Sequence, residues 1–502
     1  MLRSTLVVTF FAFLSQIVAF VIQIFIAASF GAGQQMDAYL AGATMPQYLT
    51  AIITSSLAAV FIPIFITYNS KSIEDGREVV NGIVSINLFF CFALTVLGMI
   101  FSYSIIEMTV PGLTPEGKSI AYRISLILWP TVFFTSFQFL LISWHQANKF
   151  FIWSSIVPVI GAIFQLILIV IFKNHFDYFV LASITMLSVI VQTILLCRIL
   201  ILGKFKIQFS YKHPGVVEFL HLIFPLLVSN IFIRITPIIE RFFASDLMTG
   251  SISHLNYAFK ITMFISTLLT IGLSTVIFPY LSEALSNNNV RLFKQTVSTG
   301  LNSMWLLLAP IITLGIVLSL PIISFAFERG AFTHHDSIEV SKLLQIYILS
   351  LIASSLGAIT GKSLYALKLT KLLSVIGIVE AVAYIFYTRF LSDALGVYGI
   401  ALGYLIYFTL SFSWHVIVII RKTRGSQANI LTFSSLKIII CALVSGLTMW
   451  FLIQLFSNNL MKIMIGGTVG LLFYFVLLIT FKTSEILFLK EKARVYLKNI
   501  SY

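Results

Sequence analysis

VEFLHLIFPLLVSNIFIRITPIIERFFASDLMTGSISHLNYAFKITMFISTLLTIGLSTVIFPYLSEAL, residues 217–285, holds two long apolar segments joined by a short polar turn at 248–254. Into these segments the chain places Arg234, Glu240 and Arg241, and Lys260 just past the turn. An ionisable side chain at the centre of a membrane helix costs about 2.5–3.5 kcal/mol on insertion scales. Three cations and one anion kept in adjacent spans are therefore expected to face water, one another, or an anionic cargo. We read them as lining a cavity for a negatively charged lipid headgroup.

The whole chain supports the membrane setting. Of its 502 residues 59% are hydrophobic and 10% charged, with a mean hydropathy of +1.01, whereas soluble domains carry about 25% charged residues. The net charge of +14 does not indicate nucleic acid, because the cations fall mostly in short loops between apolar runs, where they set orientation. Cys91, Cys197 and Cys441 lie in apolar runs without a spacing motif, so neither a disulfide framework nor a metal site is expected. The apolar run from Thr5 exceeds a signal-peptide core of about 7–15 residues and reads as a retained first helix.

Runs long enough to span a bilayer fall at 5–30, 37–67, 79–107, 119–144, 150–172 and 178–202, then at 217–248, 254–285, 296–320, 338–366, 370–390 and 396–420. Two more, at 430–455 and 463–481, bring the expectation to about 14 transmembrane helices in an all-α polytopic protein. After Thr483, apolar and basic residues alternate at helical spacing, which predicts a basic amphipathic helix on the anionic inner leaflet. With the N-terminus inside, the outer loops carry only Lys118, Lys173, Arg329, Arg389 and Lys462, against a large majority of basic residues in inner loops and ends. The bias predicts cytoplasmic N- and C-termini and agrees with an even helix count.

The second and eighth runs end alike, in Val60-Phe-Ile-Pro63 and Val276-Ile-Phe-Pro279, each before polar residues. The two prolines are 216 residues apart, and that offset carries all six helix starts of the first set close to those of the second. We therefore expect two six-helix lobes, 1–212 and 213–424, in a parallel pseudo-two-fold repeat, with 425–502 supplying two C-terminal helices and the basic tail. Such repeats rock against each other to give alternating access, with cargo between the lobes.

Several stretches resemble one family. Phe30-Gly-Ala-Gly33 followed by Asp37-Ala-Tyr39, then Glu240-Arg-Phe-Phe-Ala-Ser245, Gly250-Ser-Ile-Ser-His-Leu-Asn-Tyr-Ala-Phe-Lys260 and Phe327-Glu-Arg-Gly-Ala-Phe-Thr333 are similar to the MurJ/MviN lipid II flippases. These belong to the multidrug/oligosaccharidyl-lipid/polysaccharide exporter superfamily, and this chain looks like a divergent member. The resemblance implies two lobes around a central cationic cavity. The implied activity is translocation of undecaprenyl-diphosphate-linked saccharide from the inner to the outer leaflet. The chain departs from the family pattern in its first lobe. Gln16 and Ile22 stand where arginines are usual, Gln47-Tyr-Leu-Thr-Ala51 has no charge, and Lys260 replaces an arginine.

Candidate site residues follow. Arg234 and Arg241, seven residues apart, would share a helix face and present forked donors to a diphosphate. The competing reading pairs Glu240 with Arg241 or Lys260 structurally, and Lys260 could also snorkel to the interface. Gln16 and Gln23 share a face and either bind sugar hydroxyls or join helices. Asp37 contacts cargo or caps the second helix. Lys362 and Glu380 form an intramembrane pair or a coupling site. Thr333 with Asp336 reads as an N-cap with an acid three residues on. Of the loop with Glu328, Arg329 and Gly330, the resemblance implies an outer gate hinging at Gly330. The neighbouring His334 and His335 do not suggest a metal site, and no cofactor is expected.

The leading functional expectation is a monomeric flippase for a polyprenyl-diphosphate-linked saccharide, in contact with anionic membrane lipids. The cargo is either lipid II or an O-antigen or exopolysaccharide repeat unit. A cation-coupled drug exporter would want acids in its cavity, whereas the mid-span charges here lean positive. A glycan polymerase or ligase would need a sizeable outer loop, and the outer connections are short. A scaffold for the glycan machinery is the remaining class.

Overall fold

The computed structural model describes residues 2–202, 212–423 and 433–483, with side chains described outside 2–6, 198–202, 268–276 and 433. The predicted basic tail falls in 484–502, outside the described residues. The chain divides into two compact units, Met1–Ser253 and His254–Tyr502. Among the described residues all regular structure is helical, as the apolar runs require, since a spanning segment must satisfy its backbone internally.

The first unit comprises α1 (Leu2–Phe30), α2 (Gln34–Asn69), α3 (Ile73–Ile100), α4 (Ser102–Thr109), α5 (Pro115–Leu128), α6 (Pro130–Ala147), α7 (Phe151–Ile171), α8 (Tyr178–Leu202), α9 (Pro214–Ile233) and α10 (Thr236–Ser245). Local chemistry sets many of the starts. Ser72 accepts from the Asp75 amide ahead of α3, and Thr114 accepts from the Gly117 amide with Pro115 in the first turn of α5, positions where the helix leaves its own donors unused. The core of this unit lies where α2, α3, α6 and α9 meet, through Leu57, Phe61, Ile83, Cys91, Trp129 and Phe219.

The second unit takes over within α11 (Ser251–Ser286) and continues through α12 (Val290–Val317), α13 (Ser319–Phe327), α14 (His334–Ala366), α15 (Thr370–Leu395), α16 (Val397–Lys422) and α17 (Phe433–Ile453). It closes with α18 (Asn459–Thr480), which carries a π-helical turn at Lys462–Gly466. Here α14 packs on α16 and α12, α15 packs on α16, and α17 packs on α12 and α18. Tyr257 and Phe259 of α11 sit edge-on against Phe332, Tyr347 and Tyr404 at 5.4–5.7 Å between ring centres.

Thirteen helical segments among the described residues are long and apolar enough to cross a bilayer. The 36-residue α11 occupies the place of the expected eighth span, so the architecture agrees with about fourteen helices. Large apolar side chains such as Phe89, Phe386, Phe390 and Leu472 are exposed, as on a surface that faces hydrocarbon. The main difference lies inside the spans. The expected single helices at 79–107, 119–144, 217–248 and 296–320 are each broken, into α3 and α4, α5 and α6, α9 and α10, and α12 and α13.

Candidate functional site

Pro237 stands in the first turn of α10, directly after the break between α9 and α10. Proline has no amide hydrogen, and its ring crowds the carbonyl four residues back, which disfavours a continuous helix. Arg234 becomes the C-cap of α9, and its amide bonds to Asn230 and Phe232. The Ile235 amide bonds to the Phe232 carbonyl instead of reaching Ile231. The Ile231 carbonyl, thereby released, accepts from the Tyr48 hydroxyl of α2 at 2.6 Å. The residue before it, Asn230, donates to Ser56 of α2 at 3.1 Å.

This geometry separates the two arginines that helical spacing would align. Arg241 lies on α10 and donates to the Leu40 carbonyl at 3.0 Å and to the Thr44 hydroxyl at 2.5 Å, both on α2. Its neighbour Glu240 is buried. Arg234 stands at the helix break, exposed, with no side-chain hydrogen bond or ion pair among the described residues. The shared helix face is thus replaced by two roles: Arg241 joins α10 to α2, and Arg234 is left with its donors unspent.

Asp37 also departs from expectation. It is 4% exposed and lies in the first turn of α2, yet its carboxylate caps a different helix. One oxygen accepts from the Gly250 amide at 2.6 Å, and the other from the Ser253 amide and hydroxyl at 2.8 and 2.5 Å. Both oxygens are committed to the start of α11, where the unpaired amides and the helix dipole favour an anion. The helix start it caps is therefore that of α11 and not that of α2. Gln16 and Gln23 sit half-buried on α1, which packs on α7, and neither side chain has a hydrogen-bond partner among the described residues.

In the second unit, Lys260 is exposed on α11 and Lys362 half-buried on α14. Glu380 is buried on α15 and makes no ion pair among the described residues. Ser411 of α16 is the hydroxyl that approaches its carboxyl. The expected Lys362–Glu380 pair is therefore not formed, because the Glu380 face of α15 turns toward α16.

The loop of the second unit is built as its residues suggest. Thr333 accepts from the Asp336 amide while Asp336 accepts from the Thr333 amide, a reciprocal capping box at the start of α14. Asp336 also binds His254 of α11 at 2.8 Å, a contact the sequence offers no periodic signal for. Gly330 has φ of 61°, a left-handed conformation that side chains resist. Arg329 donates to the Phe325 carbonyl, and Glu328 meets His334 at 3.0 Å. Partial burial works against the Glu328 carboxylate, but the His334 contact, with the hydroxyls of Ser324 and Ser337 nearby, holds it below its ordinary value. Among the described residues no cluster of metal-ligating side chains occurs.

Comparison with known proteins gives these arrangements a family. Residues 26–480 match the family model described as lipid II flippase MurJ. The chain is 25% identical over 378 residues to the lipid II flippase MurJ of Burkholderia cenocepacia, covering 72% of this chain and 73% of that one. It is 26% identical over 390 residues to the probable lipid II flippase MurJ of Buchnera aphidicola subsp. Baizongia pistaciae, covering 74% of each. Among solved structures, a lipid II flippase MurJ in an inward closed conformation superposes with a TM-score of 0.81 at 22% identity, over 96% of this chain and 100% of that one. An inward-facing multidrug resistance MATE transporter gives a TM-score of 0.68 at 14% identity, over 82% and 96%, which marks the wider fold. With a family match that runs through nearly all of the helices described above, the chain belongs to the lipid II flippase MurJ family.

Proposed function

We propose that this protein is a flippase that carries undecaprenyl-diphosphate-linked saccharide of the lipid II type from the inner to the outer leaflet of the bacterial cytoplasmic membrane by alternating access. The observation that carries the site assignment is Arg234. It is a guanidinium held at a proline-induced break inside an apolar span, with no partner among the described residues. A forked donor kept unpaired in that setting suits a diphosphate, which accepts bidentate bonds. Within the same unit, the amides of Gln16 and Gln23, without a partner among the described residues, suit sugar hydroxyls. Arg241 and Asp37 position the helices that carry these groups. Membership of the lipid II flippase family favours lipid II over an O-antigen repeat unit as cargo.

In this reading the protein is a monomeric transporter and not an enzyme, with both termini cytoplasmic, and the lobe division at 212 and 424 describes its repeat. Glu328, Arg329 and Gly330 form the outer gate. The test is complementation of a strain depleted of its own lipid II flippase. Arg234→Ala is expected to abolish growth rescue at unchanged membrane abundance, and Arg234→Lys to retain a small part of it. Full rescue by Arg234→Ala would remove Arg234 from the cargo site.

A further inference from the structure

Glu380 is buried in the second unit on a face of α15 whose polar residues recur at helical spacing. Glu380, Tyr384 and Thr388 are all buried and follow one another by four residues. The partner face on α16 is Gly403, Tyr407 and Ser411. The two helices run antiparallel in one consistent register. Gly403 lies against Thr388, so that a Cβ there would come within 2.6 Å of the Thr388 hydroxyl. Tyr407 meets Tyr384 at 5.4 Å between ring centres, and the same register sets Ser411 opposite Glu380. The absent side chain at Gly403 is what lets α15 and α16 approach closely enough to enclose this row.

Within that enclosure the hydrogen bonding is incomplete. One Glu380 carboxyl oxygen, the Tyr387 hydroxyl and the Thr388 hydroxyl are buried without a partner among the described residues. The titratable groups that face Glu380 are Tyr384 and Tyr387 from α15 and Tyr407 from α16. Lys362 lies on α14, which packs on both helices, and it makes no ion pair with Glu380. His415 of α16 is engaged by Thr360 of α14 at 3.2 Å. A carboxylate that has no cation and one approaching hydroxyl, inside an apolar span, is the costly member of its acid–base pair. The neutral acid removes the charge and supplies a donor of its own to the unpartnered oxygens around it. A monovalent metal ion would ask for several oxygens converging on one point, and Glu380 brings the row's only carboxylate.

We propose that Glu380 is a proton-binding site in the second unit, loaded and unloaded as the transport cycle proceeds. The coupling part of this inference rests on the flippase reading, while the site itself does not. In the loaded state the carboxyl O–H donates within the α15–α16 row. In the unloaded state the proton has left to water and the carboxylate accepts from Ser411.

Infrared difference spectroscopy of the purified full-length protein in lipid, titrated with pH, tests the site. The expected result is a protonated-carboxyl stretch that vanishes as pH rises and is missing from Glu380→Gln at every pH. Ser411→Ala, which removes the hydroxyl that favours the carboxylate, should move the midpoint to higher pH; it keeps the test available if Glu380→Gln fails to fold. Absence of any Glu380-dependent band overturns the proposal, as does displacement of the band by sodium at constant pH, which would make this a metal-cation site. In proteoliposomes loaded with lipid II and an internal pH dye, wild-type protein should move protons with cargo, and Glu380→Gln should lose that movement. Cargo movement with no Glu380-dependent proton movement overturns the coupling. Failure of the wild type to move lipid II counts against the flippase reading instead, and the spectrum then decides the site alone.

Discussion

At the scale of single residues, the charged groups divide by what they touch. Arg241 and Asp37 bear the charges expected of cargo contacts, yet each is consumed by a neighbouring helix. Arg241 is bonded to α2 and Asp37 to the first turn of α11. Asp37→Ala would strand two backbone amides and a hydroxyl in a buried place, at a cost of about 1–3 kcal/mol for each group left unsatisfied. The expected outcome is a clear fall in the melting temperature of the detergent-solubilised protein, with Asp37→Asn intermediate because its amide oxygen still accepts. Unchanged melting temperature together with lost rescue in both variants would return Asp37 to the cargo site. How far these roles were legible is uneven. Thr333 and Asp336 show their capping box in the spacing alone. Nothing in the spacing tells that the Asp37 carboxylate reaches Gly250 and Ser253, because that pairing exists only once distant segments have packed.

At the scale of elements, proline position explains why one expected span is two helices. Pro46 and Pro63 sit within an unbroken α2, and Pro310 within α12, so proline by itself does not decide the outcome. At Pro237 the chain does break, and Tyr48 and Asn230 occupy groups around the opened turn. Pro237→Ala restores the missing amide and removes a helix-interior penalty of about 3 kcal/mol relative to alanine. We expect α9 and α10 to merge, the Ile231 carbonyl to return to Ile235, and Arg234 to turn away from its present setting. Spin-label distances between the ends of the 214–245 segment should lengthen, and rescue of the flippase-depleted strain should fall while the protein still reaches the membrane. An unchanged distance would show that α2, rather than Pro237, holds the break. The shared-face argument for Arg234 and Arg241 assumed 3.6 residues per turn throughout, and the break is where that assumption ends.

At the scale of the molecule, the distribution of basic residues predicts orientation. Cysteines introduced into a variant lacking Cys91, Cys197 and Cys441 report it directly. A cysteine at Ser70, between α2 and α3, should be protected from a membrane-impermeant thiol reagent in intact cells, and one at His335 should be labelled. The reverse pattern would place the termini outside. The all-helical architecture, its roughly fourteen spans and the family were determined by the sequence itself, because hydrocarbon leaves the backbone few solutions and apolar runs of fixed length reveal them. The tertiary structure alone decided which charges are free and which are spent. Among the described residues it left Arg234 without a partner at a helix break, bound Arg241 and Asp37 to neighbouring helices, and enclosed Glu380 between α15 and α16 without a countercharge. The reason is that a charged side chain's role depends on which donors and acceptors come within about 3 Å of it, and those come from segments that helical periodicity does not relate.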